Sequence, residues 1–452
     1  MKKTIKHFFI LLLMTVAGAG TASAQYYDFD DYRQAAALAQ DIYDRASRGD
    51  KESQYMMGIG LLADQVVSNS HSEGVIWLKK AANQGHVDAQ FALGVCYERG
   101  NGVTKSYEEA AKWYAMAAEQ KNSKAMFNLG LLYANGKGVT QSYTKALELF
   151  TKAGNAGIAP GQYNVGYMYA NGVGVEQSMT DAVKWYAKAV EKGDAQARCA
   201  LGICYAQGNG VEQSYPEAFR LLELAAGQGN AEAMHNLGLL HFNGSGVKKS
   251  EKEAVKWFEK SAQKGYAPGQ CSLGECYRFG DGVKKSDTEA IKWYLKAAES
   301  SMALAEHRLG EIYSEKQNMT EAVIWWTKAA EQGFAVAQDA LGDCYANGKG
   351  VKPSATDALH WWAKAAEQGH PDALYKVGDL YARKGSYAEA VQLWARAADQ
   401  GHAVAQYNLG IAFAKGEGVE KNAEQALELF KMAADQGHTK AAEALKEMQS
   451  KK

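Results

Sequence analysis

Small and apolar residues fall along this chain at helical spacings that restart every few dozen positions. In AQFALGVCYERGNGV, Ala89, Leu93, Gly94 and Tyr97 lie on one stripe of the 3.6-residue period, which predicts a helix with one buried face, helix A. After a polar loop, a second run carries an aromatic or leucine pair, Trp113-Tyr114 here and Trp257-Phe258 further on. This predicts helix B. Glycines preceded by Leu, Met or Val mark the period: Gly58, Gly94, Gly130, Gly166, Gly202, Gly238, Gly274 and Gly310 lie 36 residues apart, and Gly342, Gly378 and Gly410 follow at steps of 32, 36 and 32. Eleven units, here repeats 1 to 11, thereby fill residues 51–437. Repetition at such a period implies a solenoid.

Start and stop signals agree with this division. Ser106, Ser142, Ser178 and their equivalents open helix B, and nine of the eleven repeats place an acid three residues on, as at Glu109 and Asp181; this predicts side-chain capping beside the helix dipole. Helix B usually stops at glycine, as at Gly85, Gly157 and Gly193, a residue suited to the left-handed conformation past a helix end. The loop between the helices reads YANGKGV at both 133–139 and 345–351, and its glycine pair recurs in eight of the eleven repeats. A phosphate cradle would place such glycines between a strand and a helix start. Here they follow a helix, so they predict positive φ in a chain reversal. The 32-residue repeats shorten this loop, to SEKQN (314–318) and ARKGS (382–386).

A small residue, then LG, Tyr, GxGV, Ala, Trp and KAAxQG, as in AQFALGVCYERGNGVTKSYEEAAKWYAMAAEQ, resembles the Sel1-like repeat, a relative of the tetratricopeptide repeat. The resemblance implies an all-α fold, an α-α superhelix of antiparallel helix pairs with helix A on its inner surface. It also implies protein-binding adaptor work and no reaction. On this register, residues 25–50 form an N-terminal capping helix, 51–437 the repeats, and 438–452 a C-terminal capping helix.

Composition narrows the functional classes. The formal charge of −1 excludes the electrostatic signature of a nucleic-acid or anionic-membrane partner. Residues 1–24 read as a signal peptide: Lys2, Lys3 and Lys6, then an apolar run from Phe8 to Val16, then Ala22-Ser23-Ala24. The expected localisation is export, to a periplasm or outside the cell, with no membrane insertion after cleavage. The ten tryptophans, all in helix B, are expected to be core. The six cysteines are expected to stay unpaired. Cys96, Cys204, Cys276 and Cys344 share a core position, and Cys199 and Cys271 lie five residues before Cys204 and Cys276, beyond bridging range on one helix.

Two enzyme-like signals fade on inspection. Ser142-Tyr-Thr-Lys145 matches SxxK, but it sits at a helix B cap and no KTG accompanies it. A ladder of Cys199, His235, Cys271, His307 and Asp339, each three residues before an LG glycine, offers metal-ligand types, yet neighbouring helices lie about 10 Å apart and leave too few ligands per site. No catalytic residue, metal or cofactor is expected.

The remaining candidates are two rows on helix A, three residues before and one after the LG glycine. They read Phe91 and Val95, Phe127 and Leu131, Tyr163 and Tyr167 in repeats 2 to 4, an apolar lining. In repeats 7 to 10 the second row becomes Glu275, Glu311, Asp343 and Asp379, and the first row holds His235 in repeat 6, His307 in repeat 8 and Asp339 in repeat 9. Like charges along one groove focus a negative potential. The expected partner is therefore a protein or peptide with a basic segment, and removing these acids is expected to leave stability unchanged or raised. The alternatives are a structural subunit of an envelope assembly and, more distantly, an enzyme acting on cell-wall or β-lactam-type substrates.

Overall fold

A computed structural model of the protein describes residues 29–63 and 70–450; the signal-like segment 1–24 lies outside them. Among the described residues there are twenty-four helices and no strand. They fall into two compact units, one ending at Asn230 and the other beginning at Ala231. Within each unit, every repeat is an antiparallel pair of helices of about thirteen residues, such as Val87–Arg99 and Tyr107–Glu119 in repeat 2, and helix B also packs on helix A of the next repeat. The result is a helical-repeat solenoid. Phe29–Ser47 covers the start, placing Ala39, Ile42 and Ala46 against Met57 and Leu61 of repeat 1. Thr439–Ser450 covers the end, with Ala441 against Ala426 and Phe430.

The boundaries arise from the predicted signals. The Ser106 hydroxyl accepts from the Glu109 amide at 3.2 Å, and Ser142, the SxxK serine, accepts from Lys145 at 3.3 Å, each relieving one of the helix's free N–H groups. Ser386, in a shortened loop, makes no such bond. Helix A is capped too, by His86, Asn122, Asp194 and His402, a regularity absent from the sequence reading. The loop glycines have distinct roles. Gly100 adopts φ +78° to end helix A, whereas Gly102 at φ +71° passes so close to helix B of repeat 1 that a Cβ would lie 2.3 Å from the His71 carbonyl oxygen. Where helix B lacks its terminal glycine, Lys121 and Ser301 are driven to φ +66° and +54°. The stacking geometry therefore overrides local preference there.

The core turns on the LG glycine. The second member of each helix B pair lies against it: Tyr114 under Gly94, Phe150 under Gly130, Trp362 under Gly342. A Cβ on Gly94 would come within 2.5 Å of the Tyr114 ring. Small residues at the crossing are thus a steric requirement.

This divides the tryptophans and corrects their uniform assignment to the core. Trp326 and Trp394, under Gly310 and Gly378, are buried. Those at the first member of the pair are half-buried. Several of them join clusters that link helix B of the preceding repeat to helix A of their own, as Trp113 does with Leu78 and Leu93. Lysines three residues on lie over many of these rings, Lys188 over Trp185 at 3.9 Å and Lys260 over Trp257 at 4.0 Å. All six cysteines are buried; burial pushes the Cys276 thiol up to about 12 and that of Cys96 to about 11, which makes these two packing residues rather than nucleophiles.

Gly342→Ala is expected to cost about 1–3 kcal/mol by overpacking. Gly227→Ala, where a Cβ meets nothing within 4 Å, is expected to be neutral or stabilising by up to about 1 kcal/mol through helix propensity. Urea denaturation of the two variants checks both.

Candidate partner-binding surface on helix A

The apolar row is a half-buried layer rather than a bare lining. Phe91, Phe127 and Tyr163 each lean on the aromatic ring beneath the neighbouring LG glycine, with centroids 5.9, 5.7 and 5.8 Å from Tyr114, Phe150 and Tyr186. Val95 and Leu131 pack beside them. Tyr167 is the row member that stands out, 48% exposed.

The acidic row is interleaved with cations that the pattern reading passed over. Arg308 donates to Glu275 through Nε at 2.9 Å and to Glu311 through Nη1 at 2.8 Å, and Tyr294 donates its hydroxyl to Glu275 at 2.5 Å. Lys376 reaches back from repeat 10 to both Asp339 oxygens, at 2.8 and 2.9 Å, and to Asp343 at 2.7 Å. Trp362 also donates to Asp343, and Asp379 pairs with Arg383 one turn on at 2.7 Å. Glu275, Asp339 and Asp343 therefore cross-link neighbouring helices A, whereas Glu311 and Asp379 pair within their own helix. Removing the paired acids is therefore expected to cost stability rather than leave it unchanged or raised. Arg308 and Lys376 stand two residues before the LG glycine, where other repeats carry Ala92, Asn128 or Ser272. That departure from the repeat was the available signal.

Titration follows from these contacts. Burial alone would raise Glu311, but hydrogen bonds from His307 and Arg308 outweigh it and hold the carboxyl at about 2. Burial also opposes charge on Lys376, yet Asp339 and Asp343 keep it protonated, with its pKa raised. His235, in the first row, is pushed down to about 4 by burial, and its Nε2 lies 3.0 Å from the Ser272 hydroxyl.

The Cys–His–Asp ladder does not converge. Cys271 and Cys199 are buried, His235 meets Ser272, His307 meets Glu311 at 3.2 Å, and Asp339 meets Lys376. Among the described residues a different trio, Asp339, His370 and Asp372, brings its ligand atoms within 4.8 Å of one another. The Lys376 ammonium already holds the Asp339 carboxylate there.

A second polar series ties the stack together. Gln90 donates to the Ala82 carbonyl of the preceding helix B at 3.2 Å and accepts from Gln120 at 2.8 Å; Gln54, Gln338 and Gln406 repeat the arrangement. In repeat 8 the buried Glu306 takes this position and accepts from Gln332 at 2.5 Å.

A model of the Sel1 repeat family matches eleven consecutive segments, 51–86, 87–122, 123–158, 159–194, 195–230, 231–266, 267–302, 303–334, 335–370, 371–402 and 403–438. The chain belongs to the Sel1 repeat family. Among solved structures, it is similar to c5321, described as a protective antigen present in uropathogenic Escherichia coli strains displaying an SLR fold, with 35% identity over 83% of this chain and 82% of that one and a TM-score of 0.60. It is also similar to a Sel1 repeat protein from Oxalobacter formigenes, with 30% identity over 54% of this chain and 96% of that one and a TM-score of 0.50. No curated protein matches the chain.

Two outcomes follow for the Sel1 repeat ion pairs. Lys376→Met leaves the buried Asp339 carboxylate unpaired and is expected to cost about 3 kcal/mol or more, with Asp339→Asn added to it recovering part of the loss in urea denaturation. Because the folded-state value of Glu311 lies below its ordinary one, its contribution is full above about 4.5 and is lost as pH falls towards about 2. Glu311→Gln should flatten that acid limb of the stability–pH curve and leave the neutral-pH slope as it is.

Proposed function

We propose that the protein is an exported, non-catalytic scaffold that binds a protein or peptide along its helix A surfaces. The carrying observation is a row of outward side chains on helix A whose chemistry varies from repeat to repeat: aromatic around Tyr167, charged around Glu275, Glu311, Asp343 and Asp379. Variation laid over a constant frame is how repeat proteins acquire binding surfaces. Counting Glu275, Glu311, Asp339, Asp343 and Asp379 against Arg308, Lys376 and Arg383 leaves two negative charges in excess. That excess supports a basic segment in the partner.

Export rests on the basic, apolar and small-residue order of residues 2–24. Membership of an envelope assembly would use the same surfaces, with the partner held permanently.

Photo-crosslinking residues placed at Tyr167 and Glu311 in the cell of origin should give discrete adducts. The same residue placed at Lys188, on helix B beside Trp185, should give none. Equal labelling of both faces would contradict the proposal. Adduct yield at Glu311 should fall as salt is raised, since exposed charge is screened over about 8–10 Å at physiological ionic strength. The mature amino terminus should begin at Gln25, which intact-mass measurement of protein recovered from those cells would check.

A further inference from the structure

Repeats 6 and 7 depart from the common pattern at two neighbouring places. Four residues after the LG glycine, most repeats have alanine, as at Ala134, Ala170 and Ala206, but repeat 6 has Phe242. Five residues after it, repeats 2 to 11 carry polar residues such as Asn135, Asn171, Gln207 and Asn347, but repeat 7 has Phe279. Phe279 is 57% exposed.

Both rings line one cavity of about 240 Å³ on the helix A side. Leu239 and the buried Phe258 complete its apolar wall, and the carboxylates of Glu275 and Asp281 line it as well. None of the lining residues is basic. Drug-sized ligands need about 300–1,000 Å³; the space suits a single long side chain.

The charge at this mouth is unbalanced. Arg308 is shared between Glu275 and Glu311, and its guanidinium carbon lies 5.9 Å from the Phe279 ring. The Asp281 side chain has no hydrogen bond or ion pair among the described residues. Helix A of repeats 6 and 7 ends here, at Asn243 and Phe279, and helix C-termini carry partial negative charge. Two aromatic faces, two helix C-termini and a free carboxylate are together suited to a cation on an apolar stem.

We infer that this pocket receives one lysine or arginine side chain of the partner, its methylenes against Phe242 and Phe279 and its charge on Asp281. The inference rests on the scaffold reading and gives its basic segment a defined anchor point.

Phe279→Asn installs the residue found at this position in repeats 3, 4, 6 and 9, so it removes the pocket wall without introducing a foreign residue. Full-length protein would be titrated with N-acetyl-arginine and N-acetyl-lysine methylamides, read by saturation-transfer NMR, beside the norleucine methylamide, which has a similar stem and no charge. The expected result is transfer to the side-chain methylenes of the basic amides, reduced at least fivefold in Phe279→Asn and in Asp281→Asn, with norleucine at least fivefold weaker in the native protein. Equal transfer to norleucine, or transfer unchanged in Phe279→Asn, overturns the inference. Absence of transfer alongside intact helix A crosslinks at Tyr167 sinks the pocket and leaves the scaffold standing. Intact, variant-sensitive transfer without those crosslinks does the reverse.

Discussion

The close approach of a helix A glycine to a helix B ring is the contact on which everything else in this protein depends. At Gly94 and Tyr114, or Gly342 and Trp362, no room exists for even a methyl group, so the two helices of a repeat cross at the shortest distance their backbones allow. Dispersion contacts rise steeply at such distances, and the ring brings large buried area with it. The crossing also sets where each helix B lies and therefore which surface it offers to the next repeat. Once that surface is used, the remaining outward positions are the ones that can differ between repeats.

Polar contacts then refine what packing begins. The buried glutamines answer backbone carbonyls of the preceding helix B, which would otherwise be buried at a cost comparable to a lost hydrogen bond. They act like pins at a fixed register. The ion pairs that link helices A of neighbouring repeats serve a different end, since Glu275, Asp339 and Asp343 meet their cations where the pattern has been broken by Arg308 or Lys376. Burying part of a carboxylate such as Asp339 is unfavourable unless a partner is brought to it. The acid and the cation therefore have to change together, one repeat apart.

Departures from the repeat are consequently more informative about binding than the repeat itself. Phe242, Phe279, Arg308 and Lys376 each replace a small or polar residue that serves elsewhere without loss of the fold. The frame does not require them. Their concentration in repeats 6 to 10 marks that stretch as the one where surface chemistry has been shaped for something other than stacking.

Much of this was legible in the chain. Helix boundaries, the positive-φ glycines and the number of repeats follow from local periodicity and local capping, and Ser106 and Gly100 behave as their types demand wherever the chain places them. The tertiary structure alone decided which side chains meet. The burial of Trp326 and Trp394 beside the half-burial of the other tryptophans, and the pairing of Glu275 and Asp339 with residues 33 and 37 positions away, depend on the spacing between stacked helices. A periodic pattern records that spacing only as an average. The asymmetry has a plain cause: a helix is closed by hydrogen bonds four residues apart, so its signals are local, whereas an ion pair needs two backbones brought within reach of each other by everything packed between them.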